Sequence, residues 1–215
     1  GDATESVTSG DLNGDGILDL ATVDYVDKTI SVLLGNGDGS FLARTTLGIG
    51  AGPAAVTMAD FNNDGVLDLA SADANDDILS LFFGKGDGTF SDRTTVGVGD
   101  NPWHVTTGDF NSDGIVDIVS VEHSWDSLIV LLGKGDGTFH DGDRYSTSEG
   151  PYRVVVGDVN GDGFQDLVSA DRFGDSVSVL LGLGDGSFAQ CVSYGAGDAI
   201  ESVSLGDFNA DGIID

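Results

Sequence analysis

The chain has 215 residues, of which 37 are Asp or Glu and 8 are Lys or Arg, giving a formal charge of −29. That balance excludes nucleic acid as an ordinary partner, because binding phosphate needs clustered positive charge. With 40% hydrophobic residues the composition suits a packed core rather than a disordered acidic tail, and 34 glycines call for many tight turns.

In chain order, the first unmistakable phrase is DLNGDGILD at Asp11, and it returns as DFNNDGVLD at Asp60, DFNSDGIVD at Asp109, DVNGDGFQD at Asp158 and DFNADGIID at Asp207. Each step is 49 residues, with no insertion or deletion between copies. A second phrase keeps the register: GNGDGSF from Gly35, GKGDGTF from Gly84 and Gly133, and GLGDGSF from Gly182. Repetition at such a period marks an array of one supersecondary unit. The units are read as approximately 5–53, 54–102, 103–151 and 152–200, with a partial fifth over 201–215.

Within the second unit the apolar pattern has the period of strands. Ala55–Ala59 is predicted as a first strand, Leu67–Ala72 as a second and Ile78–Phe83 as a third. GKGDG is a hairpin turn whose glycines supply positive φ, and Phe90–Val96 is a solvent-facing fourth strand. No segment has helical periodicity. Four antiparallel strands in 40 to 50 residues is the blade of a β-propeller. The fold expected is therefore all-β, a propeller of four-stranded antiparallel blades forming a single domain over 1–215. A parallel β-helix is the competitor, but its repeats are usually shorter and lack hairpin turns.

The nine-residue loops carry side-chain oxygen at positions 1, 3, 5 and 9 and glycine at position 6, with a backbone carbonyl available at position 7. The expected ligands are Asp11, Asn13, Asp15, Ile17 and Asp19; Asp60, Asn62, Asp64, Val66 and Asp68; Asp109, Asn111, Asp113, Ile115 and Asp117; Asp158, Asn160, Asp162, Phe164 and Asp166; and Asp207, Asn209, Asp211, Ile213 and Asp215. Such a hard oxygen cage suits Ca²⁺, and three carboxylates so close repel one another without a cation. An EF-hand shares the first six positions but needs Glu at position 12 and flanking helices. Here position 12 is Thr22, Ser71, Ser120 or Ser169, and the flanks are strands. Metal-free Asx-rich turns are the remaining alternative.

The Asp-x-Asn-x-Asp-Gly-x-x-Asp loop, with phrases like VLLGNGDGSF after it and GAGPAAVTMAD before it, resembles FG-GAP or VCBS repeats, the blade repeats of integrin α-subunits and many bacterial secreted proteins. The resemblance covers essentially the whole chain. It implies a calcium-stabilised, typically seven-bladed propeller outside the cytoplasm, often serving adhesion or ligand binding. With four units and a partial fifth starting at Gly1, the chain is expected to be a fragment of a larger propeller.

In an antiparallel blade the calcium loop and the GDG hairpin emerge on one face, and the links from strand 2 to 3 and from strand 4 to the next blade emerge on the other. The second face is where the units differ. Trp103, Trp125, Tyr152 and Arg153 stand there and are the candidate ligand-binding residues, since aromatics with a polar edge on loops over a rigid scaffold make recognition surfaces. Scattered surface aromatics or packing between blades is the bland alternative. Asp24, Asp73, Glu122 and Asp171 end each second strand and are read as turn caps. His104, His123 and His140 occupy different places in their units without a nucleophile motif, and Cys191 is read as a small part-buried side chain. The expected function is noncatalytic recognition of an extracellular protein or carbohydrate. A propeller-fold polysaccharide lyase or hydrolase and a purely structural spacer are the alternatives, and no membrane span is expected.

Overall fold

The computed structural model describes residues 4–210, 212 and 214. Sixteen strands form four meanders of identical order. The first contains β1 (Thr4–Gly10), β2 (Asp19–Asp24), β3 (Thr29–Leu33) and β4 (Thr45–Gly48). The second contains β5 (Pro53–Ala59), β6 (Asp68–Asp73), β7 (Ile78–Phe82) and β8 (Thr94–Gly97). The third contains β9 (Pro102–Gly108), β10 (Asp117–Glu122), β11 (Ser127–Leu131) and β12 (Asp143–Ser146). The fourth contains β13 (Pro151–Gly157), β14 (Asp166–Asp171), β15 (Ser176–Leu180) and β16 (Val192–Gly195). Each strand pairs antiparallel with the next, and the blades are those of a β-propeller. Among the described residues the only helical element is a 3-10 turn, His123–Trp125, and no helix is long and apolar enough to cross a membrane.

Burial falls in layers that the sequence pattern explains. Every residue of β6, β10 and β14 is buried, which is why these second strands read as continuous small and β-branched runs rather than as alternation. The fourth strands are mostly exposed. The second blade's outer strand begins at Thr94, four residues later than the hydrophobic pattern suggests. Phe90 is instead held by a single bridge to Gly84, as Phe41, Phe139 and Phe188 are held to Gly35, Gly133 and Gly182. The phenylalanine that ends each GDG phrase therefore closes the hairpin before the edge strand starts.

The chain divides into two compact units, one comprising residues through Val105 together with Gly135–Thr138, the other Thr106–Lys134 and Phe139 onward. The first is built on Leu12, Val23, Ile30, Val32, Leu69 and Phe82. In the second, Phe188 meets Phe110 edge-on at 5.5 Å and Tyr145 at 5.3 Å, and Ile118, Leu128, Leu167 and Leu180 are buried.

The two faces separate the loops as the blade argument requires. On one, the N–H of Gly88 donates to the carbonyl of Leu12 at 3.1 Å, and Gly137 and Gly186 donate likewise to Phe61 and Phe110, both at 3.0 Å, so each hairpin meets the nine-residue loop one repeat earlier. On the other, the links between strands 2 and 3 are clamped to the links between sheets: Ala74 N–H donates to Gly52 O and Asn75 N–H to Ala51 O, both at 3.0 Å.

Candidate functional site

The nine-residue loops are built by their own side chains. In the second, Asp60 Oδ1 accepts from the N–H of Asp64 at 3.1 Å and its Oδ2 from that of Gly65 at 2.7 Å. Asn62 Oδ1 also accepts from Asp64 N–H, and Asp64 Oδ1 accepts from Val66 N–H at 2.9 Å. The pattern recurs around Asp11, Asp109 and Asp158. Gly65 at position 6 has φ of 85°, the left-handed bend that glycine makes cheaply. Position 4 is left-handed as well, through Gly14, Asn63, Ser112, Gly161 and Ala210, a second bend that the spacing alone did not reveal. Asp207 and Asn209 open the fifth loop, where Gly212 N–H reaches Asp207 Oδ2; Asp211, Ile213 and Asp215 lie outside the described residues.

The carboxylate at position 9 has a second task. Asp68 is fully buried, its Oδ2 accepting from Phe61 N–H at 2.9 Å and its Oδ1 from Gly84 N–H at 2.8 Å. Asp19, Asp117 and Asp166 bind the corresponding pairs Leu12 and Gly35, Phe110 and Gly133, and Val159 and Gly182. One side chain thus ties the loop's second residue to the end of the third strand. Burial pushes Asp68 up to about 6, against the pull of its two N–H partners, and the charges of Asp64 and Asp60 push it further in the same direction. Asp117 is raised for the same reasons, burial first. Asp11 and Asp158, part-buried and accepting several backbone N–H groups, those of Gly16 and Gly163 first, are lowered.

These residues fit a hard divalent cation. The donor set is all oxygen, each Asp60 oxygen in the second loop accepts a single N–H and keeps a further lone pair, and the fully buried acid at position 9 feels two neighbouring carboxylates. Among the described residues no three Asp, Glu, His or Cys side chains stand assembled as a finished cage. The position-9 oxygens are turned toward backbone N–H groups, so the loop oxygens of Asp60, Asn62 and Asp64 and the carbonyl of Val66 are the groups that would close on an ion.

On the opposite face the structure brings some of the candidate recognition residues together. Tyr152 occupies a β-bulge, since Pro151 pairs with Asp171 and Arg153 already with Ala170. Glu5 and Ala54 sit in the same bulge of their sheets. A bulge re-aims the side chain it carries, which places the variable residue over the neighbouring links. The Tyr152 ring meets His123 edge-on at 6.2 Å, and His123 meets Phe173 at 5.6 Å. Arg172 lies over both Tyr152 and Phe173, at 5.5 and 5.7 Å, and pairs with Glu201 at 3.1 Å. Trp125, half exposed, carries the Arg144 guanidinium 4.1 Å above its ring. Arg153 is exposed and outside this cluster, and Trp103 is part-buried on β9 in the other unit. His123, Arg172 and Phe173 complete the cluster and are not among the expected ligand-binding residues, although Phe173 stands in the variable link between strands 2 and 3, because only the bulge and the turn geometry reveal that they meet.

The acids that end the second strands are not primarily turn caps. Asp73 accepts from Ser71 and Ser80 hydroxyls and from Gly50 N–H, and Asp171 accepts from Ser169 and Ser178. Glu122 is instead ion-paired to Arg144 and accepts from Ser127. Only Asp24 caps its own turn, through Asp27 N–H. Asp73, Glu122 and Asp171 are buried inside their sheets, where a carboxylate must find donors on the adjacent strands; Asp24 is as buried as they are and takes the turn N–H instead. Cys191 is a part-buried free thiol.

Four-stranded blades repeated with an oxygen-rich loop and a GDG hairpin define a repeat-built β-propeller protein. The FG-GAP-like repeat matches residues 11–71, 67–120, 109–169 and 158–215, and the chain belongs to that family. No curated protein matches the sequence. Among solved structures it is similar to an Agrocybe aegerita lectin described for specific recognition of non-reducing terminal N-acetylglucosamine, at 22% identity and a TM-score of 0.62 over 90% of this chain and 52% of the lectin. It is also similar to a putative 6-phosphogluconolactonase from Bacteroides uniformis, at 14% identity and TM-score 0.69 over 93% of this chain and 56% of that one. The V. cholerae biofilm matrix protein Bap1 matches at 17% identity and TM-score 0.55, over 87% of this chain and 28% of Bap1. The chain therefore spans about half the length of the lectin and the lactonase, and at these identities the likeness is one of fold.

Proposed function

We propose that this chain is an extracellular calcium-binding propeller module that recognises a protein or carbohydrate without turning it over. The observation that carries the calcium half is the crowding of three carboxylates, Asp60, Asp64 and the fully buried Asp68, into one nine-residue loop, with no ion pair to any of the three among the described residues. Bound Ca²⁺ would supply that missing positive charge, held by Asp60, Asn62, Asp64 and the Val66 carbonyl and by their counterparts in the other loops. The recognition half is supported by the unlike loops of the opposite face, and by the fold shared with a lectin and a matrix protein.

Calorimetry in excess chelator and in millimolar calcium, with a metal count per chain, tests the reading. At free calcium a hundredfold above Kd, each occupied loop adds about 2.7 kcal/mol, so the melting temperature should rise clearly with one ion per loop. An unchanged melting temperature overturns the calcium assignment. Incubation with polysaccharides separates recognition from catalysis, because release of new chain ends would replace a binding module by a lyase or hydrolase.

A further inference from the structure

The ring cluster of the second unit is unique among the repeats. Tyr25, Ala74 and Arg172 stand where His123 stands in its own repeat, and Val26, Asn75 and Ser124 stand where Phe173 stands. The blade framework does not need these rings, since the other blades form without them. Phe173 is 62% exposed and Trp125 51%, a solvent exposure that a purely structural role would not require.

The platform is held rigidly. Arg172, Phe173 and Gly174 donate their N–H groups to the carbonyls of Gly150 and Glu149, at 2.9, 3.2 and 2.8 Å. Gly150 has φ of 64°, and a β-carbon there would meet Phe173 Cδ2 at 2.5 Å, so the ring rests directly on backbone. His123 Nδ1 lies 2.9 Å from Pro151 O, which fixes the imidazole beside the bulge. A surface ordered before its ligand arrives loses little entropy on binding.

We propose that the surface formed by Tyr152, Phe173, Arg172 and Glu201 binds a neutral hexopyranose ring. A pyranose offers an apolar C–H face and a rim of hydroxyls that both donate and accept. The exposed Phe173 ring matches the first, and the Arg172–Glu201 pair, donor beside acceptor at 3.1 Å, matches the second. Charge and contacts select within the class: the formal charge of −29 repels an anionic sugar, Arg172 is already balanced by Glu201, and its guanidinium takes the cation–π position over Tyr152 and Phe173 that a cationic ligand would need.

The inference rests on the recognition reading and names its ligand class. The test uses the full chain in calcium, with saturation-transfer NMR and titration calorimetry. The neutral probes are methyl β-glucopyranoside, N-acetylglucosamine and methyl β-galactopyranoside; glucuronate and choline are the charged controls. At least one neutral sugar should bind, with affinity falling tenfold or more in Phe173→Ala and at least fivefold in Arg172→Gln. Tyr25→Ala should leave it unchanged, and the melting temperature of each variant should stay within a few degrees of wild type. The proposal is overturned if no neutral sugar binds, if glucuronate or choline binds as well or better, or if binding survives Phe173→Ala in a folded protein. Sugar binding without a calcium-dependent melting shift would sink the calcium assignment and leave this site standing; a calcium shift without sugar binding would do the reverse.

Discussion

Gly88 sits so close to Leu34 that a β-carbon on the glycine would lie 2.7 Å from the leucine Cδ1, while its N–H bonds the carbonyl of Leu12. Its φ of 78° adds a third constraint. Gly137 against Phe83 and Gly186 against Leu132 repeat the contact. The hairpin glycine is therefore a joint between successive sheets and not only a turn residue.

Gly88→Ala should destabilise the protein by about 2 kcal/mol through strain at a left-handed position and crowding of Leu34. Gly97→Ala, where an added β-carbon meets nothing within 4 Å, should stay within about 0.5 kcal/mol. Urea unfolding of the two variants provides the comparison, and equal stabilities would contradict the joint.

The two kinds of loop carboxylate should respond differently to chelator. Asp68→Asn sets an amide N–H₂ against either Phe61 or Gly84 N–H, so it should cost about 2 kcal/mol with or without calcium. Asp64→Asn keeps an acceptor for Val66 N–H and should show its cost mainly in calcium. Melting curves for both variants, each in calcium and in chelator, read this out.

Asp73 and Asp171 are raised above the usual carboxylate range, chiefly by burial. Between the unfolded value of about 4 and the raised folded value, the native state holds more protons than the unfolded chain, so stability falls as pH rises through that window. In chelator the melting temperature should increase as pH is lowered from 7 toward about 5, and Asp73→Asn should flatten that slope. A slope that is unchanged in the variant would assign the effect to other groups.

In the third blade, Glu122, Ile129 and Arg144 replace the Asp, Ser and Thr that stand in the first and second blades. Arg144→Ala strands a fully buried carboxylate and should cost about 3 kcal/mol. Combining Glu122→Asp, Ile129→Ser and Arg144→Thr should recover most of that loss by building at position 122 the serine-bonded network that surrounds Asp73 in the second blade. Denaturant midpoints of the single and triple variants would decide it.

The residues themselves determined the 49-residue period, the strand order within a blade and the chemistry of the nine-residue loops. All of these are local: Gly65 makes its bend, Asp60 caps it and the apolar alternation beyond it forms a strand within a span of some twenty residues. Tertiary structure alone decided that Asp68 ties Phe61 to Gly84, that Asp73 is bonded across strands instead of capping a turn, and that a bulge turns Tyr152 toward His123 and Arg172. A repeat specifies what recurs, whereas these partners are set by burial and by which link passes over which, and neither leaves a mark in the spacing of residues along the chain.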